Sequence, residues 1–257
     1  KFSRLTLGYQ IQKDTVNPDV LRSGKVKAAL IGVPNEAYTE NKGTAGAPGE
    51  IRSRLYHLSN IEGLTGMVDL GDLKPGRSER DIQFALRDVV EYLNESGIVA
   101  IVLGGGQDLS IGIARAYLNE KNFIMSVADH RVDIKTGRQV TNAGNFVSKV
   151  ILENPGLFHI QFIGIQGHMV SPSVLNFLRE QTFDYVPLGR LRDDFDMAEP
   201  LLRDTTFLGF DMAAVKYSDA PGHLTPSPNG FSGEEACQLM RYAGLGNRLK
   251  TVGLFEV

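Results

Sequence analysis

The sequence contains no tryptophan and one cysteine, Cys237, among 257 residues. A lone thiol excludes an internal disulfide and agrees with a reducing compartment; its expected place is as a small core residue on a helix. A large excess of either charge is lacking too. A net charge of -3, a pI near 6.0 and no clustered basic face remove the electrostatic case for nucleic acid as a partner. No apolar run approaches a membrane span, and Lys1-Phe-Ser-Arg-Leu-Thr6 does not form a signal peptide. No membrane is expected as a partner, and the expected location is cytoplasmic. The chain starts on Lys1 rather than Met and stops on an apolar run, so the natural protein is expected to extend beyond it. There is no internal repeat, low-complexity segment or linker. With 42% hydrophobic and 22% charged residues the chain can bury one large core, and one domain spanning 1–257 is expected.

Short apolar runs alternate with helical periodicity. Lys27–Val33, Ile98–Leu103, Phe123–Ala128, Phe158–Ile165, Phe183–Leu188, Thr206–Phe210 and Thr251–Val257 read as strands. Between them, Ile82, Leu86, Val89, Val90 and Leu93 recur at helical spacing over 79–94, with Gly97 as a stop. Further helices are expected near Leu109–Leu118, after Ser171-Pro172, and from Ser232 to about Tyr242. Seven or so strands alternating with helices predict a parallel α/β sheet, either open or closed as a barrel. The loop 41–50, with three glycines and a proline, leads into a helical pattern at Ile51-Arg52 and can approach a ligand closely. The Gly104-Gly105-Gly106 triplet has neither the spacing of a dinucleotide fingerprint nor the Lys-Ser/Thr of a phosphate loop.

One strand is followed by charge. After Phe123–Ala128 come Asp129, His130, Arg131, Val132 and Asp133, and an extended period of two sets Asp129, Arg131 and Asp133 on one side with His130 and Val132 on the other. Charge gathered where a buried strand stops must be paired or bound to a metal. A structural ion pair with Arg131 and a functional site are both consistent with it. Gln107 and Asp211 also fall at the carboxyl ends of strands, where parallel sheets place their ligands, so Gln107, Asp129, Asp133 and Asp211 predict one polar site.

Several stretches together resemble the ureohydrolase superfamily, which comprises arginase, agmatinase and formimidoylglutamase. Gly104-Gly105-Gly106-Gln107-Asp108 is similar to that family's Gly-Gly-Gly-His-Asp, Asp129 to Asp133 to Asp-Ala-His-x-Asp, and Phe210-Asp211-Met212-Ala213 to Phe-Asp-x-Asp. Ala220-Pro221-Gly222 and Gly230 to Glu235 are similar to two later motifs, and the 41–52 loop looks most like the formimidoylglutamase branch. The resemblance covers most of the chain. It implies a three-layer α/β/α fold around an open, mostly parallel sheet of roughly eight strands, and a homo-oligomer. It also implies hydrolysis of a linear amidine or guanidine by hydroxide bridging two manganese ions.

The chain departs from the pattern at the implied ligands. Gln107 stands for His, Arg131 for His and Ala213 for Asp, while Asp129, Asp133 and Asp211 remain. Val147 stands at the proton-shuttle histidine and Lys216 at a position usually held by Asp. Gln107, Asp129, Asp133 and Asp211 are therefore expected to hold one divalent cation (Mn, Mg or Ca) or none. Arg131 and Ala213 are expected to have replaced the second ion, because a guanidinium cannot ligate a cation. Arg131 is expected against Asp129 or Asp211. Glu235 and Asn145 are the implied substrate contacts, although Glu235 also completes a capping box with Ser232. Lys135 and Arg138 can receive a substrate carboxylate, and His57, His159, His168 and His223 are read as surface or core residues. The functional expectation is a protein without the two-manganese cluster that binds a small amidine or amino-acid-like ligand. The alternative is an amidine hydrolase working with one ion.

Overall fold

The computed structural model describes residues 2–13, 17–74, 76, 78–135, 140–224 and 227–257. Its centre is one open sheet of nine strands: β1 (Gln12–Lys13), β2 (Ala28–Gly32), β3 (Met67–Asp72), β4 (Val99–Leu103), β5 (Phe123–Ala128), β6 (Leu157–Ile165), β7 (Asp184–Pro187), β8 (Phe207–Asp211) and β9 (Thr251–Phe255). They lie in the order β1-β3-β2-β4-β9-β8-β5-β6-β7, and every pairing is parallel. The sheet is open, as the family resemblance implies, and not a barrel. The strands missing from the sequence reading are β1, which has only two residues, and β3. Met67-Val-Asp-Leu-Gly-Asp72 does not read as a buried strand because Asp69 interrupts it. Asp69 is only 2% exposed and is held there by Arg52 Nε at 2.8 Å, Arg52 Nη2 at 3.0 Å and the Tyr56 hydroxyl.

The helices are α1 (Leu7–Gln10), α2 (Pro18–Leu21), α3 (Ala47–Leu55), α4 (Glu79–Glu95), α5 (Ser110–Arg115), α6 (Phe146–Glu153), α7 (Pro172–Glu180), α8 (Leu188–Asp193), α9 (Ala198–Arg203) and α10 (Gly233–Leu245). Alternation along the strands divides them between two faces. Ala29, Ile31, Ala100, Val102, Phe123, Met125 and Val127 join the apolar residues of α4, α5, α6 and α7. Leu30 and Leu103 face Leu7, Ile11 and α3, while Ala128, Leu208 and Phe210 face α8, α9 and α10. The result is the three-layer α/β/α arrangement. Helix α4 shows how the sequence fixes its ends: Ser78 N donates to Asp81 Oδ2 at 2.8 Å, and Gly97 adopts φ 70 while Ile98 N returns to Leu93 O at 2.9 Å. Cys237, expected in the core, is exposed on α10. No helix among the described residues is long and apolar enough to cross a membrane.

Candidate functional site

Strands β4, β9, β8 and β5 are consecutive neighbours in the sheet and run in one direction, so their carboxyl ends open on one edge. The turn after β4 delivers Gln107, β9 is followed directly by Glu256, β8 ends on Asp211, and β5 is followed by Asp129. With Asp133, these side chains form a buried polar cluster in which Gln107 and Asp129 are 0% exposed and none exceeds 4%.

The glycine triplet serves backbone packing. A Cβ on Gly104 would lie 2.1 Å from Leu254 O, and one on Gly105 would lie 1.8 Å from Asn35 O. The close approach lets Gly104 N donate to Leu254 O at 2.7 Å, Gly106 N to Asn35 O at 3.1 Å and Glu256 N to Gly105 O at 3.0 Å. These bonds weld the β4 turn, the loop after β2 and the end of β9 into one wall. Glu256 sits in the left-handed region at φ 59, which an L residue adopts only where its surroundings hold it. Here Thr39 Oγ1 donates to its Oε2 at 2.7 Å, Gln107 N to its Oε1 at 2.9 Å and Asn41 Nδ2 to its carbonyl at 3.0 Å.

The charges pair differently from the sequence expectation. Arg131 Nε lies 2.9 Å from Asp133 Oδ1, in ion-pair contact but out of line for a hydrogen bond. Its expected partners were Asp129 or Asp211, and only its backbone N reaches Asp129, at 3.4 Å. The regular strand stops at Ala128, so the period of two does not carry through the turn, and His130 joins Asp129 instead of facing away. Its Nδ1 is 2.8 Å and its backbone N 2.5 Å from Asp129 Oδ1. Val132 alone goes to the core. His223, read as surface or core, enters the cluster with Nε2 4.0 Å from Asp211 Oδ1 and its ring 6.5 Å from that of His130.

Burial pushes every one of these carboxyls up, and neighbours decide the outcome. Burial prevails at Asp133, where the Asp129 charge adds to it and Arg131 opposes, and at Asp211, where Asp129 and Glu256 add to it. Both are held well above the usual carboxylate range. Burial also raises Glu256, against the donors from Thr39 and Gln107. At Asp129 burial is overcome by His130 first and Arg131 second, so that it is the carboxylate held low. Arg131 is raised despite its burial, by Asp133, Asp129, Asp211 and Glu256 in that order.

A cavity of about 330 Å³ opens above the cluster, lined by Thr39, Arg131, Lys135, Asn142, His223 and Glu256 among others. Lys135 therefore faces it, whereas Arg138 lies outside the described residues. Neither implied substrate contact is in the lining. Glu235 Oε2 accepts from Ser232 N at 2.7 Å in the capping box of α10, and its Oε1 lies 3.6 Å from Arg192 Nε. Asn145 is buried, its Oδ1 accepting from Asn142 N at 2.9 Å and its Nδ2 donating to Val140 O at 2.9 Å. Ala213 donates its N–H to Asp211 Oδ1 at 2.7 Å, and Lys216 Nζ turns to Asp219 Oδ2 at 3.5 Å. Glu256 and His223 were missed by the sequence reading. The acidic residue directly after a buried strand was the available signal for Glu256, and for His223 there was only its place beside Ala220-Pro221-Gly222.

Among the described residues, Gln107 Oε1 and Nε2, Asp129 Oδ2 and Asp133 Oδ2 are buried without a hydrogen-bond partner. The oxygens are of the type a hard cation uses. Among the described residues, however, no three His, Cys, Asp or Glu side chains are grouped so as to hold a metal ion.

Comparison with known proteins places this fold. Formimidoylglutamase of Lysinibacillus sphaericus is 25% identical over 253 residues, covering 89% of this chain and 76% of that protein. The crystal structure of formimidoylglutamase from Bacillus subtilis superposes with a TM-score of 0.85 at 19% identity, covering 100% of this chain and 85% of that one. Trypanosoma cruzi formiminoglutamase with Mn2+ gives 0.80 at 20% identity, over 90% of this chain and 85% of that one. Residues 26–257 match the model of the Arginase family, and the chain belongs to that family.

Proposed function

We propose that this chain is a formimidoylglutamase-like member of the family that has lost the two-manganese centre and uses its cavity to bind a small amidine or amino-acid-like ligand without family-level hydrolysis. The observation that carries the reading is the Arg131 guanidinium at the mouth of the carboxylate cluster, 38% exposed and 2.9 Å from Asp133 Oδ1. A guanidinium has five donors and no acceptor, so it excludes a cation from its own position. Ala213 offers no ligand atom, and Val147, fully buried in the core, offers no proton relay. The donor set therefore does not fit a pair of bridged ions. The test is a turnover screen of the manganese-loaded protein on formiminoglutamate, agmatine and arginine, run beside ligand-induced shifts in melting temperature. Thermal shifts without turnover support the reading, and turnover at enzymatic rates overturns it.

A second reading, an amidine hydrolase with one ion, is favoured by a different observation. Asp133 and Asp211 are held high by burial and by the neighbouring carboxylates, and Gln107 Oε1, Asp129 Oδ2 and Asp133 Oδ2 have no donor. One hard cation would answer both. Turnover that titrates with one equivalent of metal would decide for it.

A further inference from the structure

We propose that the Arg131 guanidinium is a covalently held replacement for one of the family's two ions, so that the carboxylate cluster needs no second metal to stay folded and at most one divalent ion binds per chain. The proposal rests on the reading that the two-manganese centre is gone, and it adds what took its place.

The argument begins with charge. Relative to the family pattern, Arg131 for a neutral His adds one positive charge, and Ala213 for Asp removes one negative charge. Together the two changes make the site two units more positive, which is the charge of one divalent ion. Both fall in the same implied ligand sphere. A random loss of ligands would leave the surviving carboxylates overcharged. Like charges about 4 Å apart repel by roughly 4 kcal/mol at an effective dielectric near 20. The changes seen here have the sign and the formal charge of the ion they would replace.

Geometry agrees. In a metal cage the carboxylate oxygens turn toward a shared ion, whereas here Asp129 and Asp133 lie within hydrogen-bond reach of each other and the carboxylates also meet groups of the protein. Asp133 meets Arg131, Asp129 meets His130 Nδ1 at 2.8 Å, and Asp211 accepts from Ala213 N with His223 Nε2 at 4.0 Å. Glu256 accepts from Thr39 Oγ1 and Gln107 N. His130 stands where the resemblance has Ala, directly before Arg131, so two adjacent departures supply two of the groups that the carboxylates meet. A planar guanidinium can span carboxylates that an ion would otherwise bridge.

The test measures manganese stoichiometry and melting temperature for the full chain, with and without a chelator. The wild type is expected to bind no more than one Mn2+ per chain and to stay folded in the chelator. The double variant Arg131→His/Ala213→Asp, which restores both family residues, is expected to melt lower in the chelator, recover with Mn2+, and bind one more ion than the wild type. If that variant does not fold, Arg131→Lys and Arg131→Met decide. Lysine keeps the charge and the melting temperature, and methionine lowers it. Two ions on the wild type, a double variant with wild-type affinity and melting temperature, or equal melting of the Lys and Met variants would overturn the proposal. Turnover with one ion per chain overturns the proposed function and leaves this proposal standing, whereas equal melting of the Lys and Met variants in a protein without turnover overturns this proposal alone.

Discussion

Replacing Arg52 with Met tests how the fold tolerates buried charge away from the site. Arg52, on α3, gives Asp69 two hydrogen bonds at 2.8 and 3.0 Å and a third bond to Gly71 O at 2.9 Å, and it also pairs with Asp72. The Asp69 side chain is only 3% exposed, so removing its partner strands a carboxylate inside β3. Breaking a buried pair from one side costs about 3–5 kcal/mol. Tyr56 and Gly71 N, 2.8 Å away, still donate to Asp69, which puts the expected loss at the lower end, near 3 kcal/mol. The pH dependence carries the sign. In the wild type burial pushes Asp69 up, but Arg52 and Tyr56 overcome it and hold the group below the usual carboxylate range. That stabilisation is complete above the unfolded pKa of about 3.9 and is lost as pH falls through the folded value. Without Arg52 the burial remains and the folded pKa rises, so the deficit should widen as pH climbs from about 4 to 7. Urea unfolding of Arg52→Met, Asp69→Asn and the double variant should show the double variant recovering most of the loss. Equal losses in Arg52→Met at pH 4 and 7, or additive losses in the double variant, would refute the reasoning.

Asp211→Asn should stabilise the metal-free protein, because the carboxyl is held well above its ordinary value by burial and by Asp129 and Glu256. A raised folded pKa gives stability that is full below the unfolded value and lost as pH rises, so the gain should be larger at pH 8 than at pH 5 in thermal melts. Gly105→Ala would drive a Cβ to 1.8 Å from Asn35 O, and a loss of about 3 kcal/mol in chemical denaturation is expected, with none at Gly49, where a Cβ meets nothing within 4 Å. Ser232→Ala removes the side chain that caps Glu235 N at 3.1 Å and should cost about 1 kcal/mol of unfolding free energy, without changing ligand-induced shifts if Glu235 serves only the cap.

Much of the site was legible because parallel strands must end somewhere. Asp129 and Asp211 follow apolar runs whose burial the sequence announces, and Gln107 follows another, so their meeting at one edge needed only the strand directions. The pairing within the cluster was not legible. It turns on the backbone leaving the strand at Ala128, which sends His130 toward Asp129, a bend no periodicity encodes, while Arg131 and Asp133, set on one side by the period of two, do meet. His223 reaches Asp211 from a loop whose path is set by tertiary contacts such as Leu224 N to Asn41 Oδ1 at 2.9 Å. Glu256 was hidden by its own neighbours. Thr251–Val257 reads as one strand, and only the positive φ of Glu256 turns its carboxylate toward Thr39 and Gln107. In the fold, β3 was obscured by the buried Asp69, whose partner Arg52 lies 17 residues earlier.

The most direct measurement of the central claim is a crystal structure of the protein grown with excess manganese and recorded at the manganese absorption edge. The account predicts no more than one anomalous peak per chain, with the Arg131 guanidinium still against Asp133. Two peaks bridged by Asp129 and Asp211, with Arg131 turned out into solvent, would contradict it.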